Sequence, residues 1–277
     1  MGKRKSKKAA DGSESDEDMS MVDVEFEWFD PQPAIDFHGL KALLRQLLDA
    51  DAQLFDLSAL ADLILSQPLL GSTVKVDGNE TDPYAFLTVL SLETHKDKKV
   101  VQDLTAYLHR HAPLTLPTSP PAHLGLILTE RLINMPHEIV PPMYTMLLEE
   151  LAWALAEAEP YAFTHYLVLS KTYREVASEL PSNGVEQPPA KKKKSGGAGK
   201  EGGGETFYFH PEDEVLQRHG VAWGGFDYET KVDEGASDSK RAFQELGVKP
   251  QGHMVLIEAD KFQGAVEAVK SFLGGGQ

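Results

Sequence analysis

VDVEFEWFDPQPAIDFHGLKALLRQLL, residues 22–48, holds two periodicities in succession, and together they set the kind of fold. Val22, Val24, Phe26 and Trp28 alternate with Asp23, Glu25 and Glu27. That two-residue repeat is the mark of a strand with one buried and one solvated face. Pro31 and Pro33 stop it, because proline lacks a backbone N–H and fixes φ. From Asp36, read as an N-cap, Phe37, Leu40, Leu43, Leu44, Leu47 and Leu48 recur at helical spacing. Lys41, Arg45 and Asp49 fall outside that stripe, and Ile35 and Leu40 are spaced for a hydrophobic staple across the cap. The segment predicts a strand followed by an amphipathic helix, and the solvated side of the strand carries only acid.

Working outward, Asp56 caps a second helix over 57–67, which stops at Pro68. Residues 73–76 form a short strand that ends in the turn residues Asp77, Gly78 and Asn79. YAFLTVLSL, 84–92, is apolar nearly throughout, as a strand buried on both faces is. A helix over 98–110 leads into a connection marked by Pro113, Pro117, Pro120 and Pro121, and 124–128 reads equally as strand or helix. Pro141 and Pro142 open a long helix to about residue 159. Its inner side carries Met143, Met146, Leu147, Leu151, Ala154 and Leu155, with Glu149, Glu150 and Glu157 on an acidic surface. Residues 161–170 make another apolar strand.

SNGVEQPPAKKKKSGGAGKEGGGE, 182–205, has too much Gly, Pro and Lys to pack and reads as a flexible insertion. Beyond it come a strand at 206–210, a short helix from Pro211, an extended stretch at 221–228 and a strand at 253–258. Asp260 then caps a last helix with Phe262, Ala265, Val266, Val269 and Phe272 inside. Strands and helices mix without strict βαβ alternation. The expected fold class is α/β, a single domain over 21–277 with a mixed central sheet flanked by helices.

Charge sharpens this reading. The chain of 277 residues carries a net charge of −16. Residues 1–20 balance five bases against five acids, and 181–205 contribute +2, so the remainder carries −18. Such a field repels nucleic acid and anionic membranes and attracts basic partners, although solubility alone also accounts for it. The chain has no cysteine, which excludes disulfides, a thiol nucleophile and Cys-ligated zinc. No apolar run reaches the roughly 20 residues that span a bilayer, and the basic start runs into acid rather than an apolar core. A soluble intracellular protein is expected.

Residues 1–20 read as a disordered tail. Lys3, Arg4, Lys5, Lys7 and Lys8 form a basic cluster of the nuclear-localisation type. Ser13 and Ser15, set among acids, suit an acid-directed kinase.

Two glycine patterns resemble cofactor loops. Residues 197–202, GAGKEG, fit GxGxxG but lie inside the lysine–glycine insertion, without the strand before and helix after that a dinucleotide site needs. QRHGVA, 217–222, fits the loop that cradles the pyrophosphate of acetyl-CoA in GCN5-type acetyltransferases. Such a loop aims backbone N–H groups from a strand-to-helix turn. Here the order reads helix then strand, and Glu212, Asp213 and Glu214 would repel the cofactor.

The ten histidines do not cluster as metal ligands. His109 and His111 read as a solvated pair, and His165 and His253 as satisfied core or rim residues. Trp28 and Trp153 read as core and Trp223 as an exposed contact. No Gly-x-Ser-x-Gly elbow or HExxH occurs.

The opening segment, DLSALADLILSQPLLGSTVKVDG, DPYAFLTVLSL, ERLINMPHEIVPPMY and the C-terminal HMVLIEADKF together resemble the BCCIP family, over about 21–273 and nearest its fungal branch. The resemblance implies a fold like the GCN5-type acetyltransferases without a working acetyl-CoA site, and a nuclear, non-enzymatic protein with no cofactor. It implies a chaperone or escort for a basic ribosomal protein of the large subunit, shuttling between nucleus and cytoplasm in ribosome biogenesis. A lipid kinase as export cargo and contact with nuclear transport receptors belong to the same implication. Animal members imply instead a protein scaffold in DNA repair and cell-cycle control. The acidic side chains suited to a basic client are Asp23, Glu25, Glu27, Glu149, Glu150 and Glu157. No direct contact with nucleic acid or membrane is expected.

Overall fold

Eight strands make one sheet in a computed structural model of the chain, which describes residues 24–67, 70–112, 115–117, 122–175, 206–230 and 248–274. In chain order the elements are β1 (Phe26–Phe29), α1 (Pro33–Leu48), α2 (Leu57–Leu65), β2 (Ser72–Val76), β3 (Ala85–Ser91) and α3 (Lys99–His111). They continue with β4 (Leu124–Arg131), α4 (Val140–Ala156), β5 (His165–Glu175), β6 (Thr206–Tyr208), α5 (Glu212–His219), β7 (Ala222–Phe226), β8 (Val248–Glu258) and α6 (Ala259–Gly274). The sheet order is β1-β2-β3-β4-β5-β8-β7, with β6 also on β5. Among the described strands only β4 and β5 run parallel, and every other pair is antiparallel. The expected mixed sheet flanked by helices is the fold.

Strand alternation builds two cores. Leu126, Leu128, Leu167, Leu169, Met254 and Leu256 pack against α1, α2 and α3. Their sequence neighbours Ile127, Val168, Val255 and Ile257 pack on the opposite side with α4, α5 and α6. All seven residues of β3 are buried, as the unbroken apolar run predicts, because helices cover both faces. The ambiguous 124–128 is strand, fixed by pairing with β3 on one side and β5 on the other.

Several local readings change. α1 starts at Pro33, three residues before Asp36, because proline in the first turn is preset for helix. Asp36 is therefore no N-cap, and Ile35 lies inside the helix, so no staple forms. Its carboxylate is fully buried: Oδ2 accepts from Gln32 N at 2.7 Å and Oδ1 meets Lys75 Nζ at 2.6 Å. Lys75 also donates to Asn79 O and Oδ1, each at 2.8 Å, above the ring of Phe29. β1 is shorter than the alternation suggests, and Val24 before it is exposed. By contrast Asp56 caps α2 as read, accepting from Ser58 N and Ala59 N. Asp77 and Gly78 turn the chain with positive φ, a region open to Gly and tolerated by Asp.

On α4 the buried stripe runs through Met143, Tyr144, Leu147, Leu151 and Ala154. That phase turns Trp153 and Leu155 to solvent, 56% and 47% exposed, against the reading of both as core. Met146 is half-buried. On α6, Asp260 is the second helical residue rather than a cap, and Leu273 rather than Phe272 is buried.

Candidate functional site: a filled strand cleft and an acidic sheet edge

β4 and β5 pair from Leu124↔His165 to Leu128↔Leu169 and then part. β4 continues along β3 as far as Arg131, while the freed edge of β5 is taken by β6. The carboxyl ends of parallel strands, where neighbours separate, are the usual ligand site of an α/β sheet. Here the chain itself occupies that place with β6, residues 209–211 and the start of α5.

Charged side chains fasten this plug. Glu130, at the end of β4, meets Lys171 of β5 at 2.5 Å and the His210 ring at 3.1 Å. Arg131 forms a two-pronged ion pair with Glu212 of α5. Ser170 Oγ donates to Asp213 Oδ2 at 2.5 Å. Gln46 of α1 ties both strand ends together, donating to Arg131 O at 2.7 Å and accepting from Lys171 Nζ at 3.0 Å. Lys171 also lies over the ring of Phe209. Glu130, Arg131, Ser170, Lys171, His210, Glu212 and Asp213 are all buried. Burial by itself would raise the Glu130 carboxyl, but His210 and then Lys171 outweigh it and hold it down at about 2. Asp213 goes the other way. Burial, helped by Glu212, pushes it up to about 7, despite the opposing pull of His210, Ser170 and Arg131.

The residues present do not fit an acetyl-CoA cradle. QRHGVA runs from the last turn of α5 into β7, so it offers the carbonyl end of a helix dipole to an anion. Its amides are spent: Gly220 N donates to Gln217 O and Val221 N to Leu256 O. The strand-to-helix turn after β4 contains Pro136, and α4 opens with Pro141 and Pro142, none of which has an N–H to offer. Glu212 and Asp213, read as acids that would repel the cofactor, are buried parts of the plug.

The six acids read as client contacts do not form one group. Asp23 lies outside the described residues, as do Lys3, Arg4, Lys5, Lys7, Lys8, Ser13, Ser15 and the insertion at 182–205. Glu27 is exposed on β1, the outermost described strand on its side of the sheet, and Glu25 is exposed just before it. Glu149 and Glu157 are exposed on or just past α4. Glu150 is a structural residue: its carboxylate accepts from Gly71 N at 2.9 Å and Ser72 Oγ at 3.5 Å, with its pKa raised by burial. Register brings other exposed acids to β1. Pairing of Phe26 with Val76 sets the turn bearing Asp77, Glu80 and Asp82 beside Glu25, and Asp30 ends the strand. The absence of lysine and arginine from 24–40 and 76–95 was the available sequence signal for this larger patch.

Two histidines also differ from their reading. His111 is wedged between Tyr107 and Phe226 and bonded to Glu229. His253 is buried opposite Gly225 with neither ring nitrogen hydrogen-bonded, and burial lowers its pKa to about 4. Trp223 is 53% exposed, as expected. Among the described residues no group of three or more His, Asp and Glu could hold a metal ion, and no helix is long and apolar enough to cross a membrane.

The fold and site thus define a mixed α/β protein whose strand cleft is closed by its own chain. Residues 21–216 match the BCCIP family model. Protein bcp1 of Aspergillus oryzae is 59% identical over 272 residues, covering 95% of this chain and 91% of that protein. Protein bcp1 of Schizosaccharomyces pombe is 47% identical over 260 residues, covering 90% and 89%. The crystal structure of BCP1 from Saccharomyces cerevisiae aligns with a TM-score of 0.60 at 24% identity, covering 93% of this chain and 92% of that one, and shares the fold. The chain belongs to the BCCIP family. Neither the family nor these relatives is named for a reaction.

Proposed function

We propose that this protein is a nuclear, non-enzymatic chaperone and escort that holds a basic ribosomal protein of the large subunit and supports its passage into ribosome assembly. The observation that carries this reading is the charge of −18 on the chain outside residues 1–20 and 181–205, displayed in part as exposed acids along β1 and the adjoining turn. An rRNA-binding protein presents dense lysine and arginine, which an acidic surface covers until RNA displaces it. The basic cluster from Lys3 to Lys8 supplies import. A shuttling protein of this kind also fits a lipid kinase as a second cargo and nuclear transport receptors as carriers.

A scaffold role in DNA repair or cell-cycle control is the second reading. Ile133 (90% exposed), Trp153, Trp223 and Phe272 favour it, since they present large apolar side chains to solvent. Native purification from nuclease-treated nuclear extract, at low and high salt, separates the two. One stoichiometric ribosomal protein lost as salt rises supports the chaperone. Repair or cell-cycle proteins that survive high salt, with no ribosomal protein, support the scaffold.

A further inference from the structure

We propose that the outer edge of β1 receives an extended basic segment as an added antiparallel or parallel strand of the sheet. This rests on the chaperone reading and states how the client is gripped. Val74 accepts from Tyr84 N at 2.8 Å, on the β3 side of β2. In an antiparallel strand the N–H and C=O of one residue share a side, and its neighbours face the other way. Thr73 and Lys75 therefore face β1, where they pair with Phe29 and Glu27. The bond from Thr73 Oγ1 to Phe29 O, 3.2 Å, agrees. Phe26 and Trp28 then direct their backbone N–H and C=O groups to the outer edge, where no described strand pairs with them.

Open edges are commonly guarded by lysine, proline or a bulge. This one carries exposed Glu25, Glu27 and Asp30, with Asp77, Glu80 and Asp82 beside it. A second copy is a poor occupant, because like charges would meet across the new pair. A strand with lysine or arginine at every second position is the complement, its bases lying beside Glu25 and Glu27. Its intervening apolar residues would extend the face on which Phe26 and Trp28 pack. Backbone pairing of this kind supplies affinity and alternate side chains supply selectivity.

The test uses the full chain and two fluorescein-labelled hexapeptides of equal composition, Lys-Val-Lys-Val-Lys-Val and Lys-Lys-Lys-Val-Val-Val. The alternating peptide should bind at least tenfold more tightly, weaken with salt, and slow amide exchange at Phe26 and Trp28. Phe26→Pro removes an outward N–H at the start of the strand and should lower that affinity at least tenfold. Should this variant unfold, Glu25→Lys with Glu27→Lys, both exposed, should give a similar loss in a folded protein. Equal binding of the two peptides, or no slowing of exchange at β1, overturns the inference. So does a dimer in sedimentation that Phe26→Pro dissolves, which would assign the edge to a second copy. A ribosomal protein that copurifies salt-sensitively and equally well with both variants would leave the chaperone reading standing and sink the edge.

Discussion

Around the separated ends of β4 and β5, Glu130, Arg131, Lys171, Glu212 and Asp213 are buried and each has a charged or hydroxyl partner on another segment. Along β1, Glu25, Glu27 and Asp30 are exposed and make no salt bridge with any described residue. The residue types are the same and the consequences opposite. A buried charge has lost water and must be answered by the chain, so it ties distant segments into one arrangement. An exposed charge keeps its water, adds little to stability, and leaves its field for another molecule. In this sheet the cleft is closed by interior charge, while the edge strand keeps its acids facing outward.

That contrast can be broken most directly at Arg131. Arg131→Met leaves Glu212 buried without a cation, and about 3–5 kcal/mol of stability should be lost in denaturant titration. Replacing Glu212 by Leu in the same protein should restore most of it. A loss under about 1 kcal/mol in the single variant would mean that Glu212 finds water and the plug is loose.

Acid should act next. Glu130 has a folded pKa lowered to about 2, so its contribution is present above the unfolded value near 4.5 and is lost as pH falls through 2. Between those limits Glu130→Gln should lose about 2–3 kcal/mol less stability than the parent protein, read from denaturation midpoints across pH. Parallel curves would place the pair in contact with solvent.

Asp213 sharpens the same point with the other sign. Its folded pKa is raised to about 7, so between about 4 and 7 the folded protein holds a proton that the unfolded chain has released. Stability from this group is complete below 4 and declines as pH rises through 7. Asp213→Asn should remove that decline, gaining at least about 1 kcal/mol on the parent between pH 5 and 8 in thermal melts.

The edge should show the smallest effect on folding. Glu25→Lys with Glu27→Lys should shift stability by no more than about 0.5 kcal/mol, while the amount of basic protein copurified at low salt falls severalfold. A large stability change would show that these acids belong to the fold.

Residues 22–48 and 84–92 disclosed their elements because their burial pattern is local: alternation, helical spacing and an unbroken apolar run need no partner to be read. The cap at Asp56 was legible for the same reason. Asp36 was misread as a cap because Pro33 already starts the helix, and its burial was not legible, because its partner Lys75 lies far along the chain. Glu150 and His111 were misread for similar reasons, since Gly71 and Phe226 reach them only through tertiary contact. Trp153, Leu155 and Phe272 show the limit of apolarity as a guide: helix phase, set by packing of α4 and α6 on the sheet, decides which side is inside.

By itself the sequence determined an α/β chain of strongly negative charge, the elements whose apolar repeat is regular, and, through its motifs, the family. Only the tertiary structure decided that β4 and β5 part, that β6 and α5 fill the gap, and which acids are buried in that plug and which stand free on β1. The physical reason is that a carboxylate's role follows from what lies within a few ångströms of it after folding, and composition carries no record of those neighbours.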